Sequence, residues 1–212
     1  MIDQEKFYQA LSAGKMEEVK DLTQKAISGG EAAERILQEG LIQAMDKIGI
    51  QFKNNEIYIP EVLIAARAMH SGLAVLKPIL ARSNASSAAK VVLGTVKGDL
   101  HDIGKNLVGM MLEGGGFEVV DIGIDASPEK FIQAAKENGA KVIGLSALLT
   151  TTMLQMKATI EMIKSAGLQG GIKTIVGGAP VTMEFARQIG ADGFAADAAS
   201  AVGMVKGLLG MK

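Results

Sequence analysis

The chain has two histidines and no cysteine among its 212 residues, so few places in it could handle a metal ion or a proton. His101 lies in Gly98-Asp99-Leu100-His101-Asp102, with an aspartate two positions before it. A carboxylate beside an imidazole fixes the ring tautomer and raises the basicity of the other ring nitrogen. The same pair would serve a metal ligand, or a general base oriented by aspartate. A purely structural histidine is a third reading. A conventional zinc or iron site needs more ligands, and no second histidine lies nearby in the sequence. A metal already held by a macrocycle needs only one or two axial ligands from protein. His70 reads as an ordinary helix residue. The absence of cysteine removes disulfides, thiolate metal sites, iron–sulfur clusters and cysteine nucleophiles.

Two further constellations carry polar or backbone chemistry. Ser146 and Thr150-Thr151-Thr152 form one, and the threonines alone would also cap a helix. Gly177-Gly178 is the other, and it would let a bulky group approach the backbone closely. Gly114-Gly115-Gly116 follows a helical pattern rather than a strand, so it reads as a helix stop and not as a phosphate cradle.

The elements that position these residues follow from periodicity. After about residue 90 the chain alternates apolar β-rich runs with helical patterns. Strands are expected at Lys90–Val96, Phe117–Ile122, Lys141–Ser146, Lys173–Val176 and Gly193–Ala196. Helices are expected from about Ile103, Pro128, Thr152, Thr182 and Ala198. This is the signature of a doubly wound parallel sheet, and five strands favour the flavodoxin-like order 2-1-3-4-5. Ligands bind such sheets at the carboxyl ends of strands one and three. The loops there hold His101 and Ser146. Before residue 82 the pattern is helical: one stretch from Asp3 that breaks at Gly29-Gly30, one from about Glu31 to Ile48, and one opening at Pro60. The expected architecture is α/β: a helical bundle over 1–82, a small-residue linker over 83–89 and a flavodoxin-like domain over 90–212.

Composition excludes several classes. Hydrophobic residues make up 48% of the chain, enough for a substantial core. The net charge of -1 gives no reason to expect nucleic acid or an anionic membrane surface as partner. Aromatics are 4% and tryptophan is absent, which disfavours a stacking platform for single strands. The polar N-terminus lacks signal-peptide character, and no uncharged apolar run approaches the ~20 residues of a bilayer span. A soluble, cytoplasmic protein is expected. No Gly-x-x-x-x-Gly-Lys-Ser/Thr motif supports triphosphate hydrolysis.

Asp99-Leu100-His101-Asp102-Ile103-Gly104 resembles the Asp-x-His-x-x-Gly signature of base-off, His-on corrinoid-binding domains. Ser146-Ala147-Leu148 resembles that family's Ser-x-Leu element, and Gly177-Gly178 its Gly-Gly element. Order and separations also fit. The resemblance implies that a cobalamin or related corrinoid binds with its nucleotide tail in the sheet's crevice. His101 would then be the axial cobalt ligand and Asp99 its partner. It further implies that Gly98, Leu100, Asp102, Ile103 and Gly104 surround the ligand. Ser146, Leu148 and Thr150 would line the tail pocket, with Gly177, Gly178 and Ala198 along the tail. Phe52 to Val62 resembles the cap segment of cobalamin-dependent methionine synthase, in which Phe52 and Ile59 would cover the methyl face.

A cap and a corrinoid domain without substrate barrels resemble the stand-alone corrinoid proteins of methyltransferase systems, which serve methylamine, methanol, betaine or methyl ether demethylation. That resemblance implies a methyl-carrier component rather than an independent catalyst. A substrate methyltransferase would methylate Co(I), and a second methyltransferase would take the methyl group from Co(III). A reductive activase is a further implied partner. The rival readings are an adenosylcobalamin mutase subunit, a B12-dependent regulator and an α/β domain without cofactor. The regulator would need a basic recognition helix that the sequence does not show.

Overall fold

The computed structural model describes residues 2–80 and 89–211. These form two compact units. One holds residues up to 80 together with Glu113–Gly116, and the other holds residues 89–112 and 117–211. Residues 83–88 of the expected linker lie outside the described residues.

The first unit is helical: α1 Gln4–Ser12, α2 Met16–Ser28, α3 Ala33–Arg35, a π-helical stretch Ile36–Ile42, α4 Gln43–Lys53 and α5 Ile59–Leu80. The expected first helical stretch is in fact two helices. Gly14 takes φ +66°, a left-handed conformation that stops α1 and reverses the chain before α2. The second stretch runs on to Lys53 and changes winding at its centre. Gly40 sits in the π-helical part, where a Cβ would lie 3.2 Å from the Phe7 ring. Close approach of α1 therefore depends on that glycine. Phe7, Leu11, Leu41, Met45, Met69 and Leu76 are buried and form the bundle core. Each such burial is worth about 1.5–3 kcal/mol. Helix α5 is apolar and long enough to cross a membrane by length and composition. Its Val62, Ala65, Met69 and Leu76 are nonetheless buried, as in a core helix.

The second unit contains β1 Lys90–Thr95, α6 Ile103–Gly114 up to Leu112, β2 Glu118–Asp121, α7 Pro128–Asn138, β3 Val142–Ser146, α8 Met153–Ser165, β4 Lys173–Gly177, α9 Met183–Ile189, β5 Gly193–Ala195 and α10 Ala198–Leu208. The strands form one parallel sheet of order β2-β1-β3-β4-β5, the flavodoxin-like order expected from the alternation. Period-two alternation sends side chains to opposite faces. Val92, Val96, Ile143, Leu145 and Val176 form one core with Phe131, Met156 and Ile160 of α7 and α8. Leu93 on the other face lies against Gly109 of α6, and Gly193 lies against Met204 of α10. Pairing sets Thr95, Ser146 and Gly177 side by side in one row at the carboxyl edge. The row ends on the loops that carry the candidate residues.

Candidate functional site

Asp99 organises the site. Its side chain is fully buried, at 0% exposure, in the loop after β1. Oδ1 accepts the His101 backbone N–H at 3.1 Å and lies 2.7 Å from His101 Nδ1. Oδ2 accepts the backbone N–H groups of Leu148 at 2.8 Å and Leu149 at 3.2 Å, and the Thr152 hydroxyl at 2.7 Å. Burial alone would push the Asp99 carboxyl up. The Thr152 hydroxyl, the His101 ring and the N–H groups of Leu148 and His101 outweigh it. They hold the carboxyl well below the usual carboxylate range.

An ionised Asp99 can only accept, so the proton of the pair sits on His101 Nδ1. In the neutral imidazole, Nε2 then carries the lone pair. The His101 side chain is 51% exposed, so its outer part is open to a ligand. The backbone is tied as well, because Thr95 Oγ1 donates to the His101 carbonyl at 2.8 Å. Among the described residues, no group of three His, Asp or Glu side chains could hold a metal ion. One fixed imidazole suits a metal whose other positions a macrocycle already fills.

The surroundings of His101 fit a large, flat, apolar ligand. Leu100 is 67% exposed and Ile103 is 77% exposed, one on each side of it in sequence. Leu148 and Leu149 after β3 and Ile124 after β2 are also exposed. Large apolar side chains clustered on one sheet edge mark a binding surface. Gly104 supports the same reading. It has no left-handed backbone, and a Cβ there would meet nothing of the chain within 4 Å. Neither conformation nor internal packing requires glycine at that position.

Other expected residues fall into place differently. Gly98 takes φ +79°, and its N–H donates to Asp125 Oδ1 at 2.6 Å. Asp102 is exposed before α6, where its carbonyl accepts the Asn106 N–H at 2.7 Å. Ser146 is half-buried at the end of β3. Thr150 is exposed, and the threonine hydroxyl that reaches Asp99 is that of Thr152. Thr152 precedes α8 but makes no side-chain cap, so the threonine run is not explained by capping. Gly177 and Gly178 have reasons inside the chain. A Cβ on Gly177 would lie 3.0 Å from the Ala195 carbonyl oxygen. One on Gly178, at φ +132°, would fall within 1.9 Å of the Ala147 carbonyl oxygen. Ala198 is buried at the start of α10, behind a capping box made by Asp197 and Ser200. In the first unit Phe52 is half-buried in the last turn of α4, and Ile59 is exposed at the start of α5.

Sequence reasoning missed three groups around the site. Thr152 was indistinct within its threonine run. Lys105 is buried in α6, where its ammonium pairs with Asp121 at the end of β2 and donates to Asn106 Oδ1 at 2.7 Å. Asp125 follows β2 and contacts Gly98 and Asp99. A lysine two positions before an apolar helical run is a weak sequence signal for burial, and Asp125 carries none.

Comparison with known proteins agrees with this geometry. The family described as B12 binding domain matches residues 89–203, and a second B12 binding domain family matches residues 3–77. A corrinoid protein of Desulfitobacterium hafniense is 42% identical over 205 residues, covering 95% of each chain. A dimethylamine corrinoid protein of Methanosarcina barkeri is 42% identical over 201 residues, covering 94% of each. Among solved structures, a cobalamin-binding protein from D. hafniense superposes with a TM-score of 0.80 at 34% identity, over 97% of this chain and 98% of that one. The methanol:cobalamin methyltransferase complex of M. barkeri gives 0.83 at 27% identity, over 98% of this chain and 79% of that one. With its three motifs on one sheet edge, the chain belongs to the B12-binding corrinoid proteins.

Proposed function

We propose that this protein is the corrinoid-bearing methyl carrier of a methyltransferase system and that His101 Nε2 is the lower axial ligand of cobalt. The observation that carries the reading is the Asp99–His101 pair. A fully buried, ionised carboxylate fixes Nδ1–H on a half-exposed imidazole, with exposed Leu100 and Ile103 flanking it in sequence. When bound, the corrinoid supplies a cobalt centre that carries the methyl group between partners.

The chain's own residues hold and shield that centre. Asp99 sets the tautomer of His101 and, through Leu148, Leu149 and Thr152, ties the loop after β1 (the first loop) to the loop after β3 (the third loop). Gly98, Leu100, Asp102, Ile103, Gly104 and Leu148 would hold the macrocycle. Ser146, Thr150, Gly177, Gly178 and Ala198 would hold the tail. Phe52 and Ile59 of the bundle (residues 1–82) would shield the methyl group. The exposure of Ile59 beside exposed Tyr58 supports that role, since neither is used by the bundle core.

The whole-length relatives support the assignment to methyl transfer, because their names include dimethylamine and trimethylamine corrinoid proteins. The partners are a substrate methyltransferase, a second methyltransferase acting on a thiol or a folate or pterin acceptor, and a reductive activase. The structure of a methanol:cobalamin methyltransferase complex in a relative supports the first of these. A cysteine-free chain suits the reducing cytoplasm where such partners work.

The test is reconstitution of the full chain with cobalamin, using protein labelled with nitrogen-15 histidine. Paramagnetic resonance of the cobalt(II) form is expected to show splitting from a labelled protein nitrogen. His101→Ala is expected to abolish it. Splitting that survives in His101→Ala would overturn the assignment.

A further inference from the structure

We propose that Asp125, in the loop after β2, is a positioning residue for His101. Asp125 clasps the Gly98–Asp99 segment from both sides. Its Oδ1 accepts the Gly98 N–H at 2.6 Å, and its own N–H donates to the Asp99 carbonyl at 3.0 Å. The inference rests on the axial-ligand reading of His101 and extends it to a second loop.

The physical argument begins with what fixes Asp99. Its side chain is anchored by the third loop, through Leu148, Leu149 and Thr152. Its backbone is anchored by Val96, whose carbonyl accepts the Asp99 N–H at 3.1 Å, and by Asp125. Gly98 has a left-handed backbone at φ +79°, so this loop has more freedom to lose than one of ordinary residues. A carboxylate accepting a backbone N–H makes a short, charge-assisted bond, roughly twice as strong as a neutral one. Asp125 itself takes φ +50°, a left-handed conformation unfavourable for a non-glycine residue. The surrounding contacts must hold it there. Its residue is exposed, and its carboxylate nevertheless accepts the Gly98 N–H. The side chain makes this contact 27 residues away from its partner, so local turn formation does not explain it. The consequence is directional: releasing Gly98 loosens the Asp99 backbone, then the carboxylate, then the orientation of the imidazole.

Three substitutions separate the backbone effect from the carboxylate effect. Asp125→Gly relieves the positive φ and removes the acceptor, so it is expected to fold. Asp125→Asn keeps an acceptor oxygen and tolerates the left-handed conformation. Asp125→Ala loses the acceptor and keeps the strain. The first readout uses the apo full-length chain. Nitrogen-15 shifts of the His101 ring report the Nδ1–H tautomer, and hydrogen exchange reports the Gly98 amide. Asp125→Gly is expected to speed Gly98 exchange at least tenfold and to mix the tautomers, while Asp125→Asn stays near wild type. The second readout is the ligated-to-free ratio of His101 at cobalt(II), expected to fall about tenfold in Asp125→Gly and to be restored in Asp125→Asn. An Asp125→Gly protein that matches wild type in the apo readout overturns the proposal, as does an Asp125→Asn protein as impaired as Asp125→Gly. His101→Ala runs alongside. If it leaves cobalt ligation unchanged, the axial-ligand reading fails, while the apo measurements still decide the role of Asp125.

Discussion

The Thr152 hydroxyl donates to Asp99 Oδ2 at 2.7 Å, and both side chains are buried. This bond joins the third loop to the carboxylate that orients His101, across 53 residues of sequence. A hydroxyl bonded to a buried charge contributes more than one bonded to a neutral group, about 1.5–3 kcal/mol. Thr152→Val keeps the shape and removes the donor. It is expected to lower apo stability by about 2 kcal/mol in urea unfolding and to weaken corrinoid binding in titration. Thr150→Val, on an exposed residue of the same run, is expected to leave apo stability within about 0.5 kcal/mol of wild type. Equal effects of the two substitutions on stability would remove Thr152 from the network.

Asp99 also predicts a pH dependence. Its folded-state pKa lies well below the ordinary value of about 3.9 expected when unfolded. The stability it contributes is therefore fully present above that unfolded value. It is lost as pH falls through the folded value. Unfolding free energies of wild type and Asp99→Asn, measured from pH 7 to pH 2, should differ by a constant amount down to about pH 5. Below about pH 4 the gap should narrow. At neutral pH the asparagine amide turns a donor toward N–H or O–H groups that the carboxylate accepted, at a cost of about 1–3 kcal/mol. A gap that widens on acidification would contradict a depressed Asp99.

The parts of this site that the sequence discloses are those whose physics is local. Asp99 and His101 are two residues apart, so their pairing is visible in a pentapeptide. The sheet order is visible because buried parallel strands are apolar runs closed by glycine-bearing loops. Asp125 and Lys105 are hidden because their partners stand on other strand ends, and only the register of β1 with β2 brings them together. The Gly14 break was masked by apolar residues that keep helical spacing across it. The π-helical stretch carries Gly40 against the Phe7 ring, a tertiary approach that spacing within one helix does not disclose. Gly178 has an internal reason that its sequence does not disclose: the Ala147 carbonyl forbids a side chain there.

Lys105 and Asp121 should respond unequally to removal of one partner. The Lys105 side chain is 2% exposed and that of Asp121 is 44% exposed. Removing Asp121 strands a buried ammonium, whereas removing Lys105 strands a carboxylate that water can reach. Asp121→Ala is expected to destabilise the apo protein by about 3 kcal/mol, the low end for breaking a buried pair. Lys105→Met, similar in volume and apolar, is expected to cost no more than about 1 kcal/mol. Thermal and urea unfolding of the two variants check this order. A larger loss in Lys105→Met would mean that the ammonium has a further role beyond the pair.

Gly104 offers a separation of stability from binding. It lies in the first turn of α6, where alanine is a better helix former by up to about 1 kcal/mol. A Cβ there would meet nothing of the chain, so Gly104→Ala has no packing cost in the apo protein. The apo variant is therefore expected to be as stable as wild type or slightly more stable. If the corrinoid lies against this turn, between Ile103 and the His101 loop, the added methyl group occupies space the ligand needs. Affinity for cobalamin should then fall at least tenfold, about 1.4 kcal/mol, while the unfolding midpoint does not drop. Tight binding retained in Gly104→Ala would place the ligand away from the α6 terminus and would return Gly104 to a glycine without a structural reason. A drop in both quantities would instead indicate a disturbed helix start, which circular dichroism of the apo variant would reveal.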